Sequence, residues 1–453
     1  MNKTLRRVLF ASMIGSALEY YDFYVYSTAS ALVFNHLFFP RLSPVAGTLA
    51  SFATLGVGFI ARPFGGILFG HLGDKMGRKP ILVITLILVG GGTTLIGLLP
   101  TYDQIGLWAP ALLLVLRLAQ GLGTGAEYGG AIIMAAEYAP TNHRGLFSSG
   151  PAMGVSVGNL LSFGSFALVE FVWKDQMLAW AWRLPFLVSI FVVLLGIYVR
   201  RRVSETPAFE AVSKKGHVKR VPLAAAFRES KRSLLIVIFT QMGQNGMAYM
   251  FGVFALSYVT TQLKVPRNDA LMALLVADVI QIATIVAAAA LSDKIGRRPV
   301  YMGAALFTAA IAFPFFWLLG SGSLALVYVG FALAFGVGYA GMLGTQPAFF
   351  AELFGPSTRF SGFATAREIG TLVGGAPVPF ISVMLVTWMS GQPWGVCWYI
   401  IVLCLITTLT VYLSPETHRR DLNSETAAQL RPDAGQSANT PLATDLQSSK
   451  KLL

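Results

Sequence analysis

Two carboxylates three residues apart, Glu19 and Asp22, stand in the stretch ALEYYDFYVY at residues 17–26, inside an apolar run long enough to cross a bilayer. On a helix Glu19, Asp22 and Tyr26 share one face. An ionised acid at the centre of a membrane helix costs roughly 2.5–3.5 kcal/mol on insertion scales, so such residues mark function by default. The chemistry open to them is reversible protonation, with Asp22 as coupling acid and Glu19 and Glu127 as relay or tuning groups. Counting from Arg7 at about 1.5 Å per residue puts Asp22 roughly 22 Å into the run. The competing expectation is an acid permanently paired to an arginine for structure alone.

Two cations could answer the acids. Arg62 in FIARPFGG lies about 18 Å deep, counted from Asp74, and Arg117 in LRLAQG stands nine residues after Trp108. Gln120, Thr124 and Tyr128 continue the face of Arg117, and Glu127 sits about 80° round the same helix. The second half of the chain supplies Gln241, Gln244 and Asn245 in TQMGQNGMAYM, Asp278 in LLVADVIQIA, and Arg367 and Glu368 in TAREIGTLVGG. Arg367 is expected to pair with Asp278 or to anchor a substrate carboxylate; the alternative is a buried pair that selects nothing.

The elements that must carry these groups are membrane helices. Of 453 residues, 55% are hydrophobic and 12% charged, against roughly 25% charged in soluble chains. Reading apolar runs between polar breaks predicts an all-α membrane protein with twelve spans: residues 9–38, 47–70, 80–100, 108–138, 145–172, 182–200, 233–261, 268–291, 299–319, 323–353, 359–388 and 394–414. Two six-helix bundles, 1–200 and 233–415, are expected, with a basic linker at 201–232 and a disordered tail at 416–453.

The net charge of +13 falls in short loops on one side, the pattern of the positive-inside rule, so both termini are expected in the cytoplasm and nucleic acid is excluded as a partner. No metal-ligand cluster and no nucleophile–base pair appears, and no glycine run fits G-x-x-x-x-G-K-[ST], which argues against an ATPase or another enzyme. Cys397 and Cys404 fall in one apolar run, seven apart, a poor geometry for a disulfide. The expected partners are a small solute, protons and the lipid bilayer; a single chain holds a complete pathway, so function as a monomer is expected, without cofactor or metal.

The halves repeat. GDKMGRKP at 73–80 matches SDKIGRRP at 292–299, and EYAPTNHRG at 137–145 resembles ELFGPSTRFSG at 352–362. Glu137 thereby corresponds to Glu352 and Arg144 to Arg359, a charge network that also takes in Arg62 and Glu368. Gly70, Gly73, Asp74, Gly77 and Arg78, with Asp293 and Arg297 in the repeat, are expected to form a conformational latch; the plainer alternative is loop topology. Parallel repeats of six spans imply a substrate site between the halves near the midplane, with one half rocking against the other.

GHLGDKMGRKP is similar to the span 2–3 signature of the major facilitator superfamily. ALEYYDFYVYSTASALVFNHLFFP, GVGFIARPFGGILFGHLGD and RLAQGLGTGAEYGGA resemble its metabolite:proton symporters. That resemblance implies a proton-coupled importer of a small polar solute such as shikimate, a dicarboxylate, proline or betaine, located in the bacterial inner membrane. It favours Arg117 as the partner of Asp22. Tyr20 and Tyr128 depart from the family pattern, which has Trp there, and Arg367–Glu368 departs from an uncharged pair. An organic acid is the expected substrate, with Arg117, Arg367, Tyr26, Gln241, Gln244, Asn245 and Asp278 lining its site. A zwitterion such as a betaine, or export of a drug or metabolite by antiport, is the alternative.

Overall fold

Helices account for nearly all of the computed structural model, which describes residues 3–76, 78–124, 127–202, 230–355, 359–418, 420 and 422. In the first half, span 1 is Lys3–Leu32, span 2 Pro44–Met76, span 3 Arg78–Leu98, span 4 Trp108–Thr124 with Glu127–Tyr138, span 5 Gly150–Val172 and span 6 Arg183–Arg202. In the second half, span 7 is Lys231–Tyr249 continued through a wide π turn to Thr261, span 8 Arg267–Ile295, and span 9 the bent pair Arg297–Ala310 and Ala312–Leu319. Span 10 comprises Leu324–Phe331, a second π segment and Ala340–Glu352; span 11 is Arg359–Gly374 with Val378–Trp388, and span 12 Trp394–Tyr412.

By length and apolarity alone, seven of the described helices qualify as membrane-crossing, or eight counting the 47° bent pair. Spans 1, 3, 6 and 7 fall outside that count. Spans 1 and 7 carry Glu19, Asp22, Gln241, Gln244 and Asn245, and span 6 ends in Arg200, Arg201 and Arg202. Those polar and charged residues lower the apolarity of spans 1, 6 and 7, and span 3 counts only over Val83–Leu98.

The packing repeats as the sequence does. Span 1 lies against span 5, span 2 against 4 and span 3 against 6; in the second half span 7 lies against 11, span 8 against 10 and span 9 against 12. Across the seam between the halves, span 5 packs on span 8 and span 2 on span 11. Small residues set these approaches: a Cβ on Gly154 would sit 2.3 Å from the Met13 carbonyl oxygen, so span 5 can meet span 1 there only without a side chain.

The seam is closed at both ends. At the face carrying the span 2–3 and 8–9 connections, here the basic face, ion pairs join the halves. Near the opposite face, Gly164 of span 5 meets Leu275 of span 8. All eight tryptophans (108, 173, 180, 182, 317, 388, 394 and 398) lie at the ends of spans on that opposite face. Trp182 is buried among Phe34, Phe38 and Phe186, whereas Trp108, Trp317, Trp388 and Trp398 are exposed where an aromatic belt would meet lipid headgroups.

The linker expected at 201–232 and the tail expected from 416 fall largely outside the described residues. Those tail residues that are described do not hang free: Thr417 and Leu422 are buried against the basic face. The described order therefore reaches past the boundary read at 416, because Glu416 and Thr417 supply acceptors and donors that the ends of spans 9 and 10 use.

Candidate functional site

Asp22 is buried in span 1 and points at spans 3 and 6. The Ser189 hydroxyl donates to its Oδ1 at 2.6 Å, and the Thr93 side chain stands beside it, its own hydroxyl donating to the Val89 carbonyl at 3.0 Å. From Thr93 the chain of contacts continues: Gln120 Nε2 donates to Thr93 Oγ1 at 2.7 Å, and Arg117 Nη1 donates to Gln120 Oε1 at 3.2 Å. The expected direct pair between Asp22 and Arg117 is therefore absent among the described contacts. Thr93 and Gln120 lie between the acid and the cation.

Arg117 is instead held by aromatic faces. Its guanidinium lies 4.0 Å from the centroid of Tyr26 and 5.0 Å from that of Phe23. The Tyr26 hydroxyl is bonded to Thr54 Oγ1 at 2.6 Å, which fixes the ring. Tyr26 is thus a support for Arg117 rather than a lining residue. Glu19, Asp22, Phe23, Arg62, Arg117, Gln120 and Thr124 together line one narrow polar pocket in the first half.

The pocket borders a second cluster that spans the seam. Arg62 lies between the rings of Phe23 and Phe59, at 4.7 and 4.8 Å, and reaches Glu368 of span 11 at 3.7 Å. Glu368 Oε1 also accepts from its neighbour Arg367 at 2.5 Å. Arg367 Nη2 donates to the Tyr20 hydroxyl at 2.7 Å, and its guanidinium lies 4.3 Å from the centroid of Tyr128. Tyr20 and Tyr128 pack edge to face at 5.4 Å, and Tyr249 closes the group against Phe23 and Phe59. Tyr20, Tyr128, Arg367 and Glu368 thus meet in one place.

The structure does not join Asp278 to Arg367. Asp278 lies in span 8 facing span 5, and Tyr24 and Tyr339 neighbour both it and the tyrosines of this cluster. Gln241 and Gln244 form a separate amide network: Gln346 of span 10 donates to Gln241, and to Gln244 at 3.5 Å, while Gln241 Nε2 donates to Thr371 Oγ1 at 3.2 Å. Asn245 is buried beside Gly375. These groups tie spans 7, 10 and 11 together.

At the basic face the repeated charges pair crosswise. Arg144 of the first half donates to Glu352 of the second at 2.9 Å, and Arg359 of the second donates to Glu137 of the first at 3.0 Å. Arg297 bonds both oxygens of Glu352 and also Asp293. Asp293 in turn accepts from the backbone N–H groups of Gly145 and Leu146 at 2.7 and 2.9 Å. A Cβ on Gly145 would lie 2.5 Å from Arg297 Nη1 and 2.6 Å from the Ala289 carbonyl oxygen, so only glycine fits.

Glu416 caps the start of span 9 through the N–H groups of Arg297 and Arg298. Burial opposes its charge, and the backbone donors outweigh that opposition, so its carboxyl is held below the ordinary glutamate value of 4.5. The matching residues of the first half lie outside the described ones: Gly77 entirely, and the side chains at Gly70, Gly73, Asp74 and Arg78. The Glu127 side chain likewise lies outside.

Ser189, Thr93, Tyr249 and Gln346 enter the site unheralded. A hydroxyl or a tyrosine in an apolar run carries no periodic signal, and only the packing of spans 3, 6, 7 and 10 shows what each faces. Gln346, beside Pro347 in GTQPAFF, was the most findable: a lone amide in a span asks for a partner.

Several known proteins share this sequence and fold. The model of the Major Facilitator Superfamily matches residues 12–375. The Shikimate transporter of Escherichia coli K12 is 39% identical over 91% of this chain and 95% of its own length. The Glycine betaine/proline/ectoine/pipecolic acid transporter OusA of Dickeya dadantii is 33% identical over 99% of this chain and 88% of its own. Among solved structures, the partially occluded inward-open form of the xylose transporter XylE from E. coli superposes with a TM-score of 0.73. It has 18% identity and covers 92% of this chain and 99% of that one, so it speaks to fold alone. The chain belongs to the major facilitator superfamily of membrane transporters, in the metabolite:proton symporter branch, and is not an enzyme.

Proposed function

We propose that this transporter imports a small organic acid together with a proton. The observation that carries the reading is the charge arithmetic of the site. Among the described residues, Arg62, Arg117 and Arg367 face Glu19, Asp22 and Glu368, three cations against three acids. Protonation of Asp22 removes one negative charge and leaves the site one positive charge in excess. A single carboxylate restores the balance, and only a balanced site can close in a low-dielectric seam.

Among the described residues the Ser189 hydroxyl donates to Asp22, Thr93 stands beside it and no cation pairs with it, so a proton can displace its charge without breaking an ion pair. Its proton then acts through Thr93 and Gln120 on Arg117. Arg62 and Arg367 are the substrate anchors, able to exchange Glu368 or Tyr20 for a bidentate carboxylate. Tyr20, Tyr128 and Tyr249 offer hydroxyls and ring faces to a hydroxylated ring. The relative named for shikimate transport supports this class of solute.

The basic face is the cytoplasmic one, with both termini inside, on the positive-inside argument. The two halves move as bodies about the closed seam, and one chain works alone as a monomer. A proteoliposome assay tests the reading. With an inward proton gradient, uptake of shikimate or a related hydroxylated carboxylate should acidify the lumen and stop when an uncoupler collapses the gradient. Accumulation that ignores the gradient would end the proposal.

A second reading rests on the tyrosines. Tyr20, Tyr128 and Tyr249 beside Glu19 and Glu368 also suit a quaternary ammonium with a carboxylate, the chemistry of a betaine, and a relative named for betaine transport matches nearly the whole chain. Competition between glycine betaine and shikimate for uptake separates the two.

A further inference from the structure

We propose that Asp278 is a second protonation site, built into the seam between the halves, and that loss of its proton is coupled to opening of that seam. Asp278 lies near the middle of span 8 with 0% of its surface exposed, and neither carboxylate oxygen has a hydrogen-bond partner among the described residues. Asn159 of span 5 stands opposite, outside hydrogen-bond geometry, with both of its amide atoms equally unpartnered and buried. The Ser162 hydroxyl, one turn further along span 5, shares that state. One turn the other way, Ser156 donates to Gln281 and pins the two antiparallel spans in register.

The groups facing Asp278 decide what charge it can hold. Span 5 offers Asn159, span 1 offers Tyr24 and span 10 offers Tyr339. Among the described residues no arginine, lysine or histidine contributes to its field. A carboxylate ion with no cation and only the Asn159 amide nearby is not sustainable in such a place, whereas a neutral carboxylic acid is. The closed seam therefore takes Asp278 with its proton. When span 5 parts from span 8, water reaches the group, the O–H bond breaks, and the proton leaves to water while the carboxylate keeps the electron pair. By linkage, the proton favours closure as much as closure favours the proton. The sign follows: closure is supported at low pH and weakens as pH rises through the value at which the buried acid ionises.

Asp278 does not line the polar pocket of the first half, so this inference stands apart from the substrate reading, and its test needs no substrate. The full chain is reconstituted in lipid and followed by pH-difference infrared spectroscopy. The carbonyl stretch of a protonated, buried carboxylic acid should be present, titrate with pH and vanish in Asp278→Asn. In parallel, Ser162→Cys reports seam opening through labelling by a water-soluble thiol reagent, corrected at each pH to the unfolded protein. Cys397 and Cys404 are buried in span 12 and give the background. Raising the pH from about 6 to about 9 should speed labelling about fivefold or more with Asp278 in place, and by less than about twofold in Asp278→Asn.

If Asp278→Asn fails to insert, Asn159→Leu serves instead. It removes the facing amide and should move the rise in labelling to higher pH. Three results overturn the proposal: an infrared spectrum unchanged by Asp278→Asn, labelling that rises equally without the acid, or labelling at fixed pH that depends on sodium rather than on protons.

Discussion

Two buried carboxylates show opposite designs. Glu352, at the end of span 10, accepts from Arg144 at 2.9 Å, from Arg297 at 3.1 and 3.2 Å and from Thr417 at 2.7 Å. Asp22, in span 1, accepts from Ser189 at 2.6 Å, with Thr93 beside it and, among the described residues, no cation. Both are almost wholly buried. The first is surrounded by fixed positive charge from both halves of the chain. The second is held by a hydroxyl that can donate to an anion or accept from an acid, which is what the proposed coupling role asks of it. Burial alone marks neither as functional; the kind of partner does.

The largest expected effect comes from fixing the charge of Asp22. Asp22→Asn should abolish accumulation of solute against a gradient while leaving solute exchange and thermal stability nearly intact. Loss of stability equal to the loss of transport would make Asp22 a structural acid like Glu352. Next comes Glu352→Gln, which takes the carboxylate from Arg144 and leaves Arg297 with Asp293 alone. It should cost about 3–5 kcal/mol, read as a lowered unfolding temperature in detergent. A neutral result there would mean that the crosswise pairs carry no stability.

Smaller effects sharpen the contrast at the basic face. Gly145→Ala drives a methyl into Arg297 and the Ala289 carbonyl, and should cost about 1–3 kcal/mol by overpacking without altering the proton dependence of transport. Glu416 has a depressed carboxyl, so its contribution to stability is present above about pH 4.5 and is lost as pH falls through its lower folded value. Glu416→Gln should remove that acid-sensitive component of the unfolding temperature and leave the neutral-pH profile almost unchanged. An unaltered acid limb in the variant would show that the cap contributes nothing.

Much of this arrangement was legible in the chain. The repeat of GDKMGRKP as SDKIGRRP announced two alike halves, and Asp22 and Arg117 were marked by the cost of charge in an apolar run. What the sequence did not carry was lateral geometry. Glu137 and Glu352 read as equivalents, yet nothing in the spacing says that each takes the arginine of the other half. Asp278 and Arg367 read as a plausible pair, because depth along a span can be counted whereas the direction a face takes toward its neighbours cannot. Ser189 and Thr93 were invisible for a further reason: a hydroxyl in a helix ordinarily bonds its own backbone, as Thr93 also does to Val89. Only packing of spans 3 and 6 against span 1 turns such groups toward an acid.

The one-sided placement of the tryptophans has a practical side. Every indole sits at the end of a span on the face away from the basic one, and none lines the polar pocket. Intrinsic emission of this protein is therefore an optical gauge of that rim alone. Wetting of the entrance there can shift its colour and yield, while events at the far rim, roughly 30 Å of hydrocarbon away, leave it dark. Fluorophores placed on the other side would complete a pair of independent windows on the two entrances.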